Sequence, residues 1–139
     1  MNTIAREFLL ENKHFAVAGA STNRSKVGNQ VLRWYQNNNL QVTPINPREP
    51  NVEGLTSITS VSELPDPKNT GLSVITPPTI TLKTLQDAHA AGIKYVWLQP
   101  GTDNQEVLDY AKNAGFKFVS GGPCILQIGT GLLQQGSRL

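Results

Sequence analysis

The stretch Lys13-His14-Phe15-Ala16-Val17-Ala18-Gly19-Ala20-Ser21-Thr22-Asn23-Arg24-Ser25-Lys26-Val27-Gly28, continuing to Leu32, decides how the chain folds. Phe15 to Ala18 form an apolar run without a polar interruption, which predicts a strand buried on both faces, as in a parallel sheet. Gly19 ends the run. A loop of small and basic residues, Ala20 to Lys26, leads into Val27, Val31, Leu32 and Tyr35 at helical spacing. Strand, loop and helix in that order leave free N–H groups and the positive end of a helix dipole at the loop. Arg24 and Lys26 add charge beside them, so the segment is a candidate phosphate site. It follows neither familiar pattern: Gly19-Ala20-Ser21 lacks the dinucleotide fingerprint G-x-G-x-x-G, and no Gly-Lys-Ser/Thr follows Arg24. An ordinary strand-to-helix turn with solvated charges accounts for the same residues.

Working outward, the 139 residues, 38% of them hydrophobic, suit one domain, 1–139, with its core over about residues 10–128. A net charge of +2 without a basic cluster gives no ground for a nucleic-acid partner. No apolar run approaches the ~20 residues that span a bilayer, and Met1 to Lys13 lacks the apolar centre of a secretory signal. A soluble, cytoplasmic protein with no membrane association is expected. The one cysteine, Cys124, excludes an internal disulfide and a cysteine-built metal site, and neither His14 nor His89 has partners at zinc-site spacing, so no metal is expected.

Ile4, Phe8 and Leu9 predict a short amphipathic N-terminal helix on the sheet edge. Leu40 to Asn46 reads as a second strand, although Pro44 donates no ladder hydrogen bond and sits poorly in a central strand. Between Asn51 and Pro67 the pattern weakens to a brief edge strand at Ser57 to Thr59 and one helical turn at Val61 to Leu64. Leu72 to Thr76 is a strand stopped by Pro77-Pro78, and the helix after it ends at Gly92. Tyr95 to Leu98 is a further strand, followed by Gln99-Pro100-Gly101 and a helix ended by Gly115; Phe116 to Val119 is the last strand. The tail from Gly129 to Leu139, rich in Gly and Gln, is expected to fray. Strands alternating with helices predict an α/β fold: a Rossmann-like, doubly wound, mainly parallel sheet of five or six strands with flanking helices.

At the end of the second strand an NAD site places an acid for the ribose hydroxyls, and here that position reads Asn46-Pro47-Arg48. Arg48 favours an extra phosphate on the ribose, as in NADP or coenzyme A. It equally suits a solvated surface arginine, and Glu49 stands beside it to compete.

Gly19-Ala20-Ser21, Lys26-Val27-Gly28, Asn46-Pro47-Arg48, Gly54, Thr76-Pro77-Pro78, Trp97-Leu98-Gln99-Pro100-Gly101 and Gly122-Pro123-Cys124 occur in the order and setting of the CoA-binding domain family, which the chain resembles over residues 10–128. That family includes small stand-alone proteins and the N-terminal domain of the succinyl-CoA synthetase alpha subunit. The resemblance implies coenzyme A, or an acyl-CoA, held across the C-terminal ends of the strands. Gly19, Ala20, Ser21, Arg24, Lys26, Val27 and Gly28 would line the phosphate loop; Asn46, Pro47 and Arg48 would meet the nucleotide. Thr76, Pro77, Pro78, Leu98 and Gln99 would flank the pantetheine arm, with Cys124 at the edge of the site. Two positions depart from the synthetase pattern: Gln99 stands where that loop carries an acid, and Ser120-Gly121-Gly122-Pro123 replaces the Pro-Asn before the cysteine.

The synthetase also needs a second domain with a phosphorylated histidine. His14 opens the first strand and His89 lies in a helix, so neither substitutes, and independent catalysis is not expected. Cys124 is open to two readings, a thiol forming a mixed disulfide with coenzyme A or a buried small hydrophobe. A binding or regulatory module for a small-molecule nucleotide is the expected function. An NADP-linked oxidoreductase-like domain and a non-binding partner domain are the alternatives, and a protein partner or a second copy of the chain is left open.

Overall fold

The apolar runs assemble as parallel strands covered on both faces in the computed structural model of the chain, which describes residues 3–137. In chain order the elements are α1 (Thr3–Glu11), β1 (His14–Ala18), α2 (Val27–Asn37), β2 (Val42–Ile45), β3 (Asn51–Val52), β4 (Leu55–Thr56), β5 (Thr70–Val74), α3 (Pro78–Ala91), β6 (Tyr95–Leu98), α4 (Gln105–Ala114), β7 (Lys117–Val119) and α5 (Ile125–Ser137). The main sheet has the order β2-β1-β5-β6-β7, and every pairing in it is parallel. After β2 the chain crosses to the far side of β1, so the direction of winding reverses between β1 and β5. Open α/β sheets bind ligands beside such a reversal, at the carboxyl ends of the strands.

Alternating side chains of each strand feed two cores. Phe15, Val17, Tyr95 and Trp97 pack under α1, α2 and α5, while Ala16, Ala18, Leu72, Val74, Val96 and Leu98 pack under α3 and α4. The first core is aromatic: Phe8 meets Trp97 edge-on at 5.5 Å between ring centroids, and Phe15 stacks on Tyr35 at 5.0 Å. Within it the Tyr35 hydroxyl and Ser73 Oγ share a buried hydrogen bond of 2.6 Å. Burial pushes the Tyr35 phenol well above its usual range, so it stays protonated.

The N-terminal helix packs on a face of the sheet and not on its edge. Gly71 of β5 has no side chain where the Phe8 ring rests; a Cβ there would come within 2.9 Å of that ring. Tyr95 Oη and Lys117 Nζ donate to Glu7 Oε1 at 3.0 and 3.3 Å, tying α1 to β6 and β7. Those hydrogen bonds, from Tyr95 first and then Lys117, hold the Glu7 carboxyl below its usual range.

Pro44 is accommodated because β2 is the edge strand of the sheet. Ile58 adds only a single parallel bridge to Ile45 where a short edge strand was expected, and the weakly patterned segment before it makes the antiparallel β3–β4 hairpin. Val61–Glu63 is the expected single turn, of 3-10 type, capped by Ser60. Gly129 to Ser137, expected to fray, continue as helix α5. Ile125 and Leu132 bury there, with Leu126, Ile128 and Leu133 packed against the same core, and Trp34 Nε1 donates to Thr130 Oγ1 at 3.1 Å. Arg138 and Leu139 lie outside the described residues. No described helix is long and apolar enough to cross a membrane.

Two helical glycines test this packing in opposite directions. A Cβ on Gly28 would lie 2.1 Å from the backbone oxygen of Gly19, whereas one on Gly131 meets nothing within 4 Å among the described residues. Gly28→Ala is expected to destabilise by about 1–3 kcal/mol through overpacking. Gly131→Ala is expected to stabilise by roughly 0.5–1 kcal/mol through lost chain entropy. Chemical denaturation of both variants checks this; a gain for Gly28→Ala would contradict the close approach.

Candidate functional site

Where β1 ends, Gly19 takes a left-handed conformation (φ 95°) that turns the chain sharply out of the sheet. Its carbonyl then lies against Gly28 in the first turn of α2, an approach that only a glycine at 28 permits. Lys26 is the N-cap residue, extended at φ −86° and ψ 148°, and its side chain does not cap the helix. Asn29 and Gln30 return their N–H groups to the Lys26 carbonyl, whereas those of Val27 and Gly28 precede any intrahelical acceptor. Two N–H groups and the helix dipole therefore converge beside the loop, which suits an anion.

The loop is held in shape by its own polar groups. Ser21 Oγ accepts from Asn23 N at 3.0 Å, and Asn23 Oδ1 accepts from Ser25 N and Oγ at 3.0 and 2.7 Å. Beneath it, fully buried Asn29 donates to Ser21 O and to Glu53 Oε2, both at 2.9 Å, and accepts from Arg33 Nε at 2.6 Å. Arg33 Nη2 also donates to Arg24 O at 3.1 Å. Glu53 reaches this network from the β3–β4 turn, where Glu53 and Gly54 both have positive φ, 49° and 80°. Its carboxylate lies 3.5 Å from Arg24 Nε, so part of the loop's positive charge is already neutralised within the fold. Sequence reasoning passed over Asn29, Arg33 and Glu53. The only local signal was Gly54 as a turn residue, because the two-residue strands on either side have no readable period.

At the end of β2, Asn46 serves the scaffold. Its Oδ1 accepts from the N–H groups of Arg48 and Glu49 at 2.7 and 2.9 Å, and its Nδ2 donates to Ala20 O at 2.9 Å, tying this loop to the phosphate loop. Arg48 is exposed, and among the described residues no carboxylate, Glu49 included, pairs with its guanidinium. Between these loops and α3 opens a cleft of about 260 Å³ at the winding reversal. Ala18, Gly19, Ile45, Pro47, Val61, Thr76 and Ile80 line it, with Thr84 and Asp87 among its polar groups. Ile80 is 52% exposed and Val27, at the first turn of α2, 45% exposed, large apolar side chains left at this rim of the sheet. Thr76 Oγ1 is held by Thr81 Oγ1 at 2.8 Å, while Pro77 and Pro78 start α3.

The remaining predicted residues lie further along the same edge. Leu98 is buried in the core under α3 and α4, so its side chain does not face a ligand. Gln99 is 1% exposed; its Oε1 accepts from Ile125 N at 3.1 Å, at the start of α5. Trp97 Nε1 donates to Pro123 O at 3.0 Å and anchors the glycine-rich loop before half-buried Cys124. His14 stands at the opposite end of β1, and His89 on α3 lies edge-on to Tyr110 and Phe116. Of the predicted residues, Gly19, Pro47 and Thr76 line this cleft; Ala20, Ser21, Lys26, Gly28 and Asn46 build the loops that adjoin it, and Gln99 and Cys124 are not part of its lining.

Residues 13–130 match the model of the family described as CoA binding domain. Among solved structures, the chain is similar to a hypothetical protein from Pyrococcus horikoshii OT3, with 29% identity, TM-score 0.86, 96% of this chain and 92% of that one covered. It is also similar to a conserved hypothetical protein from Pyrococcus furiosus, with 34% identity, TM-score 0.76 and coverage of 81% and 96%. A third is the dinucleotide-forming acetyl-coenzyme A synthetase 1 of Ca. Korarchaeum cryptofilum in complex with phosphate and ADP, at 28% identity and TM-score 0.71. There 86% of this chain covers only 27% of the synthetase. No curated protein shows significant sequence similarity. With the five-stranded parallel sheet, the glycine-gated loop and a family match over nearly all of its described length, the chain belongs to the CoA binding domain family.

Proposed function

We propose that this chain is a stand-alone module that binds coenzyme A or an acyl-CoA along the C-terminal edge of its sheet, without complete ligase chemistry of its own. Family membership supports coenzyme A binding in general. The observation that carries the reading is the uncapped first turn of α2, packed on Gly19 and opening beside an apolar cleft at the winding reversal. In this reading the pyrophosphate takes the N–H groups of Val27 and Gly28, with Lys26 and Arg24 as flanking charges. The base enters the cleft against Ile45, Pro47 and Ile80. Unpaired Arg48 meets the additional ribose phosphate, and the pantetheine arm passes Thr76, Pro77 and Pro78 towards Gln99.

Arg48 also favours NADP, the second reading, because both ligands carry a phosphate on the ribose next to the base. Neither histidine is on the ligand edge, which leaves no imidazole there for acid–base or phosphoryl chemistry. A cytoplasmic site of action fits the reduced coenzyme A pool that such a module would sample.

Thermal unfolding with coenzyme A, dephospho-coenzyme A, NADP and NAD tests the reading. A ligand at about 100 times its dissociation constant adds about 2.7 kcal/mol, so coenzyme A is expected to raise the melting temperature most. No shift with any of the four at millimolar concentration overturns the reading, and a larger shift with NADP favours the second. Arg48→Ala is expected to weaken coenzyme A by roughly tenfold or more, the worth of a charge-assisted hydrogen bond of about 1.5–3 kcal/mol. It should leave dephospho-coenzyme A nearly unchanged; equal losses in a calorimetric titration would remove Arg48 from phosphate recognition.

A further inference from the structure

The start of α5 carries an unsatisfied donor. Gln99 Oε1 accepts from Ile125 N, which fixes the orientation of the amide, since its nitrogen end has no lone pair for that N–H. The other end, Nε2, is buried and has no hydrogen-bond partner among the described residues. As the two ends belong to one planar group, this free donor sits beside the first turn of a thirteen-residue helix, Ile125–Ser137, where the dipole also favours partial negative charge. A buried donor without an acceptor carries the full cost of its lost hydration. Gly121 and Gly122, with φ of 82° and 130°, turn the chain into the helix beside it.

We infer that the α5 start and Gln99 Nε2 form a subsite for a thioester carbonyl, so that the module prefers acyl-CoA to free coenzyme A. This rests on the coenzyme A reading above and names the form of the ligand. The loop after β6 lies two strands from the phosphate loop after β1, roughly 10 Å at about 4.8 Å per strand. That separation places Gln99 towards the distal end of a pantetheine arm whose pyrophosphate sits at α2. A free thiol offers a poor acceptor there, and a thioester carbonyl a good one. A carboxylate at position 99 would present only acceptors to the same carbonyl; the amide presents a donor. The acyl carbonyl supplies the partner that Nε2 lacks.

Calorimetric titration with acetyl-CoA, S-ethyl-CoA and coenzyme A tests this, because the S-ethyl thioether has the same carbon count and no carbonyl. Wild-type protein is expected to bind acetyl-CoA about three- to tenfold more tightly than S-ethyl-CoA, the worth of one net hydrogen bond. In Gln99→Glu, which keeps an acceptor for Ile125 N and loses the donor, the ratio should fall to about one. Gln99→Met, uncharged and of similar length, is the second variant should the glutamate destabilise the fold. A wild-type ratio near one, or a ratio that survives either substitution, overturns the inference while leaving coenzyme A binding intact. Equal losses for all three ligands would assign Nε2 to the pantetheine arm and also overturn it. Failure of all three to bind wild-type protein defeats the underlying reading as well.

Discussion

The approach of α2 to the exit of β1 is the constraint on which the rest of this site depends. With Gly28 against the Gly19 carbonyl, the helix begins almost in contact with the strand, and the N–H groups of its first turn lie at the exit of β1. Any side chain at position 28 would have to push the helix or the loop aside. The helix is meanwhile held from below by Tyr35, which bonds Ser73 in β5, and by Trp34, which bonds Thr130 in α5. The loop between strand and helix therefore has two fixed ends, and its conformation follows from a short list of internal hydrogen bonds.

Charge plays a smaller part at that loop than its basic residues suggest. Arg24 faces Glu53, and Glu53 is in turn held by the buried amide of Asn29. The arginine is 67% exposed, so the pair contributes little to stability, but the carboxylate lowers the field that a phosphate would meet. Backbone donors are left as the main source of attraction. They are already oriented and lose little side-chain entropy on binding, which is the economy that glycine-rich anion loops share. Arg48 stands outside this network, in a loop whose turn is set by Asn46.

Much of the fold was legible because its strands are buried on both faces, and a run such as Phe15 to Ala18 admits no other reading in an α/β chain. What was not legible depended on partners distant in sequence. Two-residue strands give no periodic signal, so the β3–β4 hairpin and the Glu53 it delivers were lost in a weak segment. Gly129 opened a tail, rich in Gly and Gln, that was expected to fray. In the fold it is the position where Trp34 crosses α5, and a Cβ there would lie 2.4 Å from the indole. Gly71 likewise gave no hint that Phe8 would cross the sheet above it, which is why α1 was expected on the edge. In each case glycine was informative about another residue's side chain, and the sequence alone does not say whose. At the carboxyl edge of the sheet, the division of labour among the motif residues was not legible. Asn46 spends its amide on the backbone, and Leu98 spends its side chain on the core.

The two ends of the candidate site differ in how completely they are satisfied. At α2 the loop is held by the side chains of Ser21, Asn23 and Ser25, and the proposed binding there would need little rearrangement. At α5 one half of a buried amide is paired and the other is not. An unpaired buried donor costs about 1–3 kcal/mol, a cost borne by the free protein and recovered by any group that supplies an acceptor. Discrimination between ligands is a difference of affinities, and a term shared by all of them, such as the phosphate contacts, cancels from it. In the proposed reading, the preorganised end would set how tightly coenzyme A ligands are held as a class, and the unsatisfied end would set which member is preferred.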